Sequence, residues 1–114
     1  MSKTTTIKSR IWIEHDNQMF LGEGRVKLLK AIHSSGSLNK ACKEAGISYK
    51  KAWALLDSLN NSCPQPMVSK SIGGKNGGGT QLTPYGLKII KFYDDLNKKC
   101  WAFLDEELKN MPLT

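Results

Sequence analysis

No stretch of this chain of 114 residues reaches the roughly 18 consecutive apolar residues that a membrane-spanning helix needs. Its opening, MSKTTTIKSRIWIEHD, has no apolar run long enough for a signal peptide, so a cytoplasmic protein without a membrane partner is expected. Cysteine is scarce: Cys42, Cys63 and Cys100 lie far apart, form no CxxC pair and are odd in number, which is a poor disulfide framework. They read as reduced thiols packed as small hydrophobic side chains. Histidine is scarcer still. His15 and His33 stand beside no serine or cysteine nucleophile motif, no carboxylate pair has a pocket context, and no metal-ligand spacing occurs. Catalysis, a bound metal and a cofactor are therefore not expected, and both histidines read as surface or turn residues.

Acidic residues are also few. Ten Asp and Glu stand against seventeen Lys and Arg, a formal net charge of +7 that favours polyanionic partners such as nucleic acid or an anionic membrane surface. With 39% hydrophobic and 24% charged residues the chain has an ordinary globular composition, and its length suits one domain over 1–114.

Along the chain, residues 7–14 alternate Ile11 and Ile13 against Arg10, Trp12 and Glu14, the period-two pattern of a half-buried strand. Turn chemistry at 15–18 and an apolar return at Met19, Phe20 and Leu21 predict an N-terminal hairpin. Val26, Leu28, Leu29 and Ile32 then carry helical spacing up to Ser34-Ser35-Gly36. Ser37 can cap a second helix with Leu38, Ala41, Cys42 and Ala45 on its apolar side, ended by Gly46. Ser48 can cap a third, through about Asn61, whose apolar residues Tyr49, Ala52, Trp53, Leu56 and Leu59 recur at three- and four-residue steps. The turn between these two helices is short, and Trp53 is expected in the core beside Leu56. Pro64 and Pro66 stop the third helix, after which 67–72 and 80–82 read as two short strands joined by Gly73-Gly74-Lys75-Asn76-Gly77-Gly78-Gly79.

Thr83 caps a last helix that starts with Pro84 and can run to about Asn110, roughly 40 Å at the usual rise. It carries two neighbouring apolar stripes, one through Ile89, Phe92, Leu96, Cys100 and Phe103, the other through Ile90, Tyr93, Trp101, Leu104 and Leu108. So broad an apolar surface exceeds what the rest of the domain can cover, and self-association through it is expected.

Helix, helix, tight turn, helix, hairpin is the layout of a winged helix-turn-helix, in which the second helix of the pair enters the major groove. The fold class expected is mainly α with a small β component. About 22–83 forms the helix-turn-helix and wing, and about 84–110 a dimerisation helix. Ser48, Tyr49, Lys50 and Lys51 fall at the groove-entering end of the third helix. Ala54 and Ser58 share the face opposite its apolar stripe. The glycine loop lacks the order of residues of a nucleotide-binding phosphate loop, because Lys75 precedes Asn76 between strands rather than Ser or Thr before a helix. As a wing tip it lets backbone N–H groups and Lys75 approach a phosphate backbone or minor groove.

Three segments together resemble the N-terminal DNA-binding domain of the molybdate-responsive regulator family. They are Phe20-Leu21-Gly22-x-Gly24-Arg25, Ser48-Tyr49-Lys50-x-Ala52-Trp53, and the glycine loop followed by Leu82-Thr83-Pro84-Tyr85-Gly86. The resemblance covers about 8–105 in collinear order, and the broader pattern is similar to the DNA-binding domain of LysR-type regulators. It implies a homodimeric transcriptional regulator at palindromic operators, with Ser48, Tyr49, Lys50 and Lys51 reading bases and phosphates and Lys75 as the wing contact. Asn76 departs from the family's usual glycine, and Lys70 stands where the family often has arginine.

The family's regulators carry molybdate-binding domains that 1–114 lacks, so the chain is not expected to sense an oxyanion alone. Sensing by a separate partner protein, regulation without a ligand and adaptation to another signal all stay open. Two rivals to DNA recognition also stand: a protein-interaction module that kept the fold, and an oxyanion-binding protein using the glycine loop.

Overall fold

Asp16 and Asn17 take left-handed backbone, with φ of 51° and 63°, as a two-residue hairpin turn requires. Short polar side chains tolerate that conformation better than most. The turn folds β1 (Ile13–His15) back onto β2 (Gln18–Leu21) in an antiparallel pair, with a bulge between Ile13 and Glu14. The computed structural model describes residues 4–71 and 79–112.

Three helices follow. In α1 (Glu23–Ser35) the residues Val26, Leu28, Leu29, Ala31 and Ile32 are buried. Arg25 at its start donates to the carbonyls of Met19 (3.0 Å) and Phe20 (3.2 Å), tying the hairpin to the helix. α2 (Leu38–Ala45) begins at Ser37, whose side chain accepts from the Lys40 backbone N–H, and α3 (Tyr49–Ser62) begins at Ser48, which does the same for Lys51. Both expected caps are present. α1 and α2 each end on a left-handed glycine, Gly36 and Gly46, whose N–H returns to the carbonyl four residues back.

β3 (Val68–Ser71) and β4 (Gly79–Leu82) pair antiparallel, with Val68 opposite Leu82 and Lys70 opposite Thr80. Thr83 then caps α4 (Pro84–Leu108), with Pro84 in the first turn as expected. Thr83 also donates its hydroxyl to the Pro66 carbonyl at 2.7 Å and its backbone N–H to that of Met67 at 3.0 Å. These bonds fix where the long helix leaves the hairpin. Gly86 packs so closely on Met67 that a Cβ there would fall on the Met67 carbonyl oxygen.

Leu21, Leu28, Leu29, Ile32, Leu56, Leu59 and Met67 are fully buried and form one core from the hairpin, α1, α3 and the residue before β3. The chain is thus mainly helical with two small antiparallel sheets, an architecture consistent with a small winged helix.

One expectation needs correction here. The strand anticipated over 7–14 is confined to Ile13–His15. The residues before it pair with no strand among the described residues. They run along α4, where the Tyr93 hydroxyl donates to the Ile11 carbonyl at 2.9 Å. The alternation of Ile11 and Ile13 is real, since both are half-buried against the core, but its partners include a helix rather than a second strand alone. Tyr49, which belongs to the apolar stripe by spacing and also stands at the groove-entering end of α3, is 50% exposed.

The stripes of α4 differ. Ile90 and Tyr93 are buried, whereas Phe92 and Phe103 are 60% and 63% exposed. Of the cysteines, Cys42 is buried and Cys63 and Cys100 are half-buried, all as free thiols.

Candidate nucleic-acid interface

At 100° per residue α3 divides into three sides. Ala52, Leu56 and Leu59 are buried and anchor it in the core. Tyr49, Trp53 and Asn60 form a flank turned toward β3. Lys50, Ala54, Asp57, Ser58 and Asn61, with Lys51 at the margin, are exposed on the remaining side.

Ser48 precedes the helix in extended conformation, and its Oγ accepts the Lys51 N–H at 3.1 Å. The capping hydroxyl stays exposed, so it can still donate outward beside the positive end of the helix dipole. Among the described residues neither Lys50 nor Lys51 forms an ion pair, although five such pairs occur elsewhere. Their charge is uncompensated and faces outward at the first turn of the helix. Ala54 continues this open surface. Ser58 lies further along and lines a cleft of about 290 Å³ with Asn61, Ser62 and the β1–β2 turn residues His15 and Asp16. It is therefore separated from the lysines by about two turns and borders an acidic group. Lys75 and Asn76 lie outside the described residues.

The flank facing β3 is built from three contacts. Asn60 Oδ1 accepts the backbone N–H of Met67 (2.8 Å) and of Val68 (3.2 Å), and its Nδ2 donates to the Val68 carbonyl at 3.1 Å. Higher on the same flank Tyr49 meets Trp53 edge to face at 6.1 Å between ring centres. Lys70 of β3 places its Nζ 3.5 Å from the centre of the Trp53 ring. Trp53 is accordingly half-buried at the seam between α3 and the hairpin, rather than deep in the core as its spacing suggested.

Asn60 and Asp57 had no role in the sequence reading, and Lys70 entered it only as a departure from the family's usual arginine. Each left a signal. Lys70 is two residues from buried Val68, and so on the same face of its strand; Asn60 follows Trp53 by seven, and Asp57 follows Lys50 by seven. At the end of α3, burial pushes the Cys63 thiol above its ordinary range, while a hydrogen bond with Tyr85 partly opposes the rise.

Chemically, the arrangement offers an exposed, N-capped helix start with two free ammonium groups, next to a two-stranded hairpin that adds a third. This suits a polyanionic surface wide enough to admit a helix. Among the described residues no group of three or more His, Cys, Asp or Glu side chains is gathered to hold a metal, and no helix is long and apolar enough to cross a membrane.

No protein-family model matches the chain. Known proteins do. Over 101 residues, 89% of the chain, it is 41% identical to the molybdenum transport protein ModE of Azotobacter vinelandii. It is 43% identical over 86 residues, 75% of the chain, to the transcriptional regulator ModE of Haemophilus influenzae. It shares 43% identity over 93 residues, 79% of the chain, with the DNA-binding transcriptional dual regulator ModE of Escherichia coli K12. The matches span 37%, 34% and 36% of those relatives, so the chain corresponds to about a third of their length.

Proposed function

We propose that this homologue of the ModE transcriptional regulators is itself a sequence-reading DNA-binding regulator, a winged helix-turn-helix that acts as a homodimer. The observation that carries the reading is the open first turn of α3, where Ser48, Tyr49, Lys50 and Lys51 are all exposed and neither lysine has a carboxylate partner among the described residues. Residues near the start of such a helix lie closest to base edges in the major groove. Ser48 and the lysines grip phosphate or guanine there, Ala54 and Ser58 extend the contact, and Lys75 and Asn76, in the sequence between the two strands, are the proposed backbone contacts.

The exposed stripe of Phe92, Leu96 and Phe103 on α4 supports pairing of two copies, since contiguous apolar surface of this kind is a common mark of an interface. A two-fold pair presents two equivalent helices about 34 Å apart and so selects a palindromic operator.

Fluorescence anisotropy with duplex DNA from the region upstream of the protein's own gene, across a salt series, tests the reading. Tight binding is expected, with log affinity falling as log salt rises at roughly 0.9 per phosphate neutralised. Undetectable binding at low salt by folded protein overturns it.

A further inference from the structure

Lys70 sits where the hairpin meets α3. The two-residue strand period puts it on the same face as Val68, one step outward from the core, so that its stem leaves the buried region and its ammonium reaches over the Trp53 ring at 3.5 Å. Tyr49, at the first position of α3, supports the ring from its edge. No carboxylate pairs with Lys70 among the described residues. A free lysine of this kind samples many rotamers. Here the cation is held at one place by the face of an indole, an attraction that leaves its N–H donors available on the solvent side.

We infer that Lys70 is a phosphate-contacting residue for duplex DNA, and that Trp53 is its positioning residue. The inference rests on the DNA-binding reading above and adds a contact at the junction of helix and wing. Lys50 and Lys51 project from the open side of α3, whereas Lys70 projects from its flank. A duplex seated on α3 therefore meets positive charge from both sides of Tyr49. Ordering the ammonium before binding lowers the conformational entropy that a phosphate contact costs a flexible side chain.

The test uses the full chain with a duplex from its own upstream region and with an unrelated duplex of equal length. Lys70→Gln is expected to weaken binding to both, and to reduce the slope of log affinity against log salt by about 0.9, one phosphate's share. Lys70→Arg restores both quantities. Trp53→Phe keeps a ring face and retains the wild-type slope, whereas Trp53→Leu lowers the affinity as Lys70→Gln does, and the double variant Trp53→Leu/Lys70→Gln loses little more. Circular dichroism melting selects the variants that fold, and Lys70, being exposed, supplies one that does whatever Trp53→Leu does. DNA binding by the wild type together with an unchanged salt slope in Lys70→Gln overturns the inference and leaves the DNA-binding reading intact. A wild type that binds neither duplex overturns both.

Discussion

Asn60 and Val68 exchange hydrogen bonds in both directions: the Asn60 side chain accepts the Val68 N–H at 3.2 Å and donates to the Val68 carbonyl at 3.1 Å. A third bond, from the Met67 N–H at 2.8 Å, completes a clamp that holds the first strand of the hairpin against the last turn of α3. Replacing Asn60 by Ala leaves three partly buried backbone groups without this partner, and a loss of about 1–3 kcal/mol is expected. Urea denaturation followed by circular dichroism measures it, and a midpoint equal to wild type would refute the clamp.

Gly86 and Gly24 should respond in opposite directions to the same substitution. A methyl group at Gly86 meets the Met67 carbonyl, whereas at Gly24 nothing lies within 4 Å. Gly86→Ala is expected to cost about 1–3 kcal/mol by forcing α4 away from the hairpin. Gly24→Ala should instead gain about 0.4–1 kcal/mol, because alanine restricts the unfolded chain at a helical position. Thermal melting of the two variants side by side settles both signs.

Asp57 is the one acidic side chain on the open side of α3, and no ion pair engages it among the described residues. Removing its charge should relieve repulsion from a phosphate backbone. Asp57→Asn is therefore expected to bind unrelated duplex DNA a few-fold more tightly at low salt, with the difference shrinking as screening increases. Equal affinities at every salt concentration would place Asp57 away from the DNA.

Leu96→Glu tests the proposed pairing of two copies through α4. Leu96 is 39% exposed and lies between Phe92 and Phe103 on the uncovered stripe, so the fold should tolerate the change. Light scattering after size exclusion is expected to show a dimer for the wild type and a monomer for the variant. An unaltered dimer would move the interface elsewhere.

Alkaline pH should destabilise the fold through buried groups that include two thiols and a phenol. Burial raises the thiols of Cys42 and Cys63 and the phenol of Tyr93, and the nearby carboxylates of Glu23 and Asp94 push Tyr93 further. A raised folded value means that the unfolded chain loses its proton first. Their contribution is whole below the ordinary values of 9.0 for the thiols and 10.0 for the phenol, and falls as pH climbs through the folded ones. The urea midpoint is expected to decline from pH 8 to pH 10.5, and the Cys42→Ala/Cys63→Ala pair should flatten the first part of that decline.

What could be read from the sequence was local chemistry. Ser37, Ser48 and Thr83 announce helix starts because a capping hydroxyl acts within three residues of itself, and the structure has all three caps where the spacing puts them. The flank of α3 was not legible in the same way. Whether Trp53 lies in the core or at a seam depends on Lys70, seventeen residues later and across a turn, and the helical period alone cannot supply that partner. The N-terminal segment failed for a related reason. Alternation in Ile11 and Ile13 reports one buried side but not what buries it, and the hydroxyl that takes up the Ile11 carbonyl comes from Tyr93, far along the chain.

The attachment of α4 has a mechanical consequence. Gly86 against Met67, Tyr93 against Ile11 and the Lys30–Asp94 pair at 2.9 Å all grip the first part of the helix, while large side chains such as Trp101 and Phe103 beyond it remain exposed. The helix is a cantilever with its root bolted to the body. The N-terminal segment follows it as far as Cys100, which meets Ser9 at 3.9 Å, and roughly 12 Å extend past that contact, so a tilt of about 5° there displaces the tip by about 1 Å. In the proposed pair joined along that arm, the separation of the two reading heads would be set by this attachment, and small repacking around it would retune which half-site spacing the pair can span.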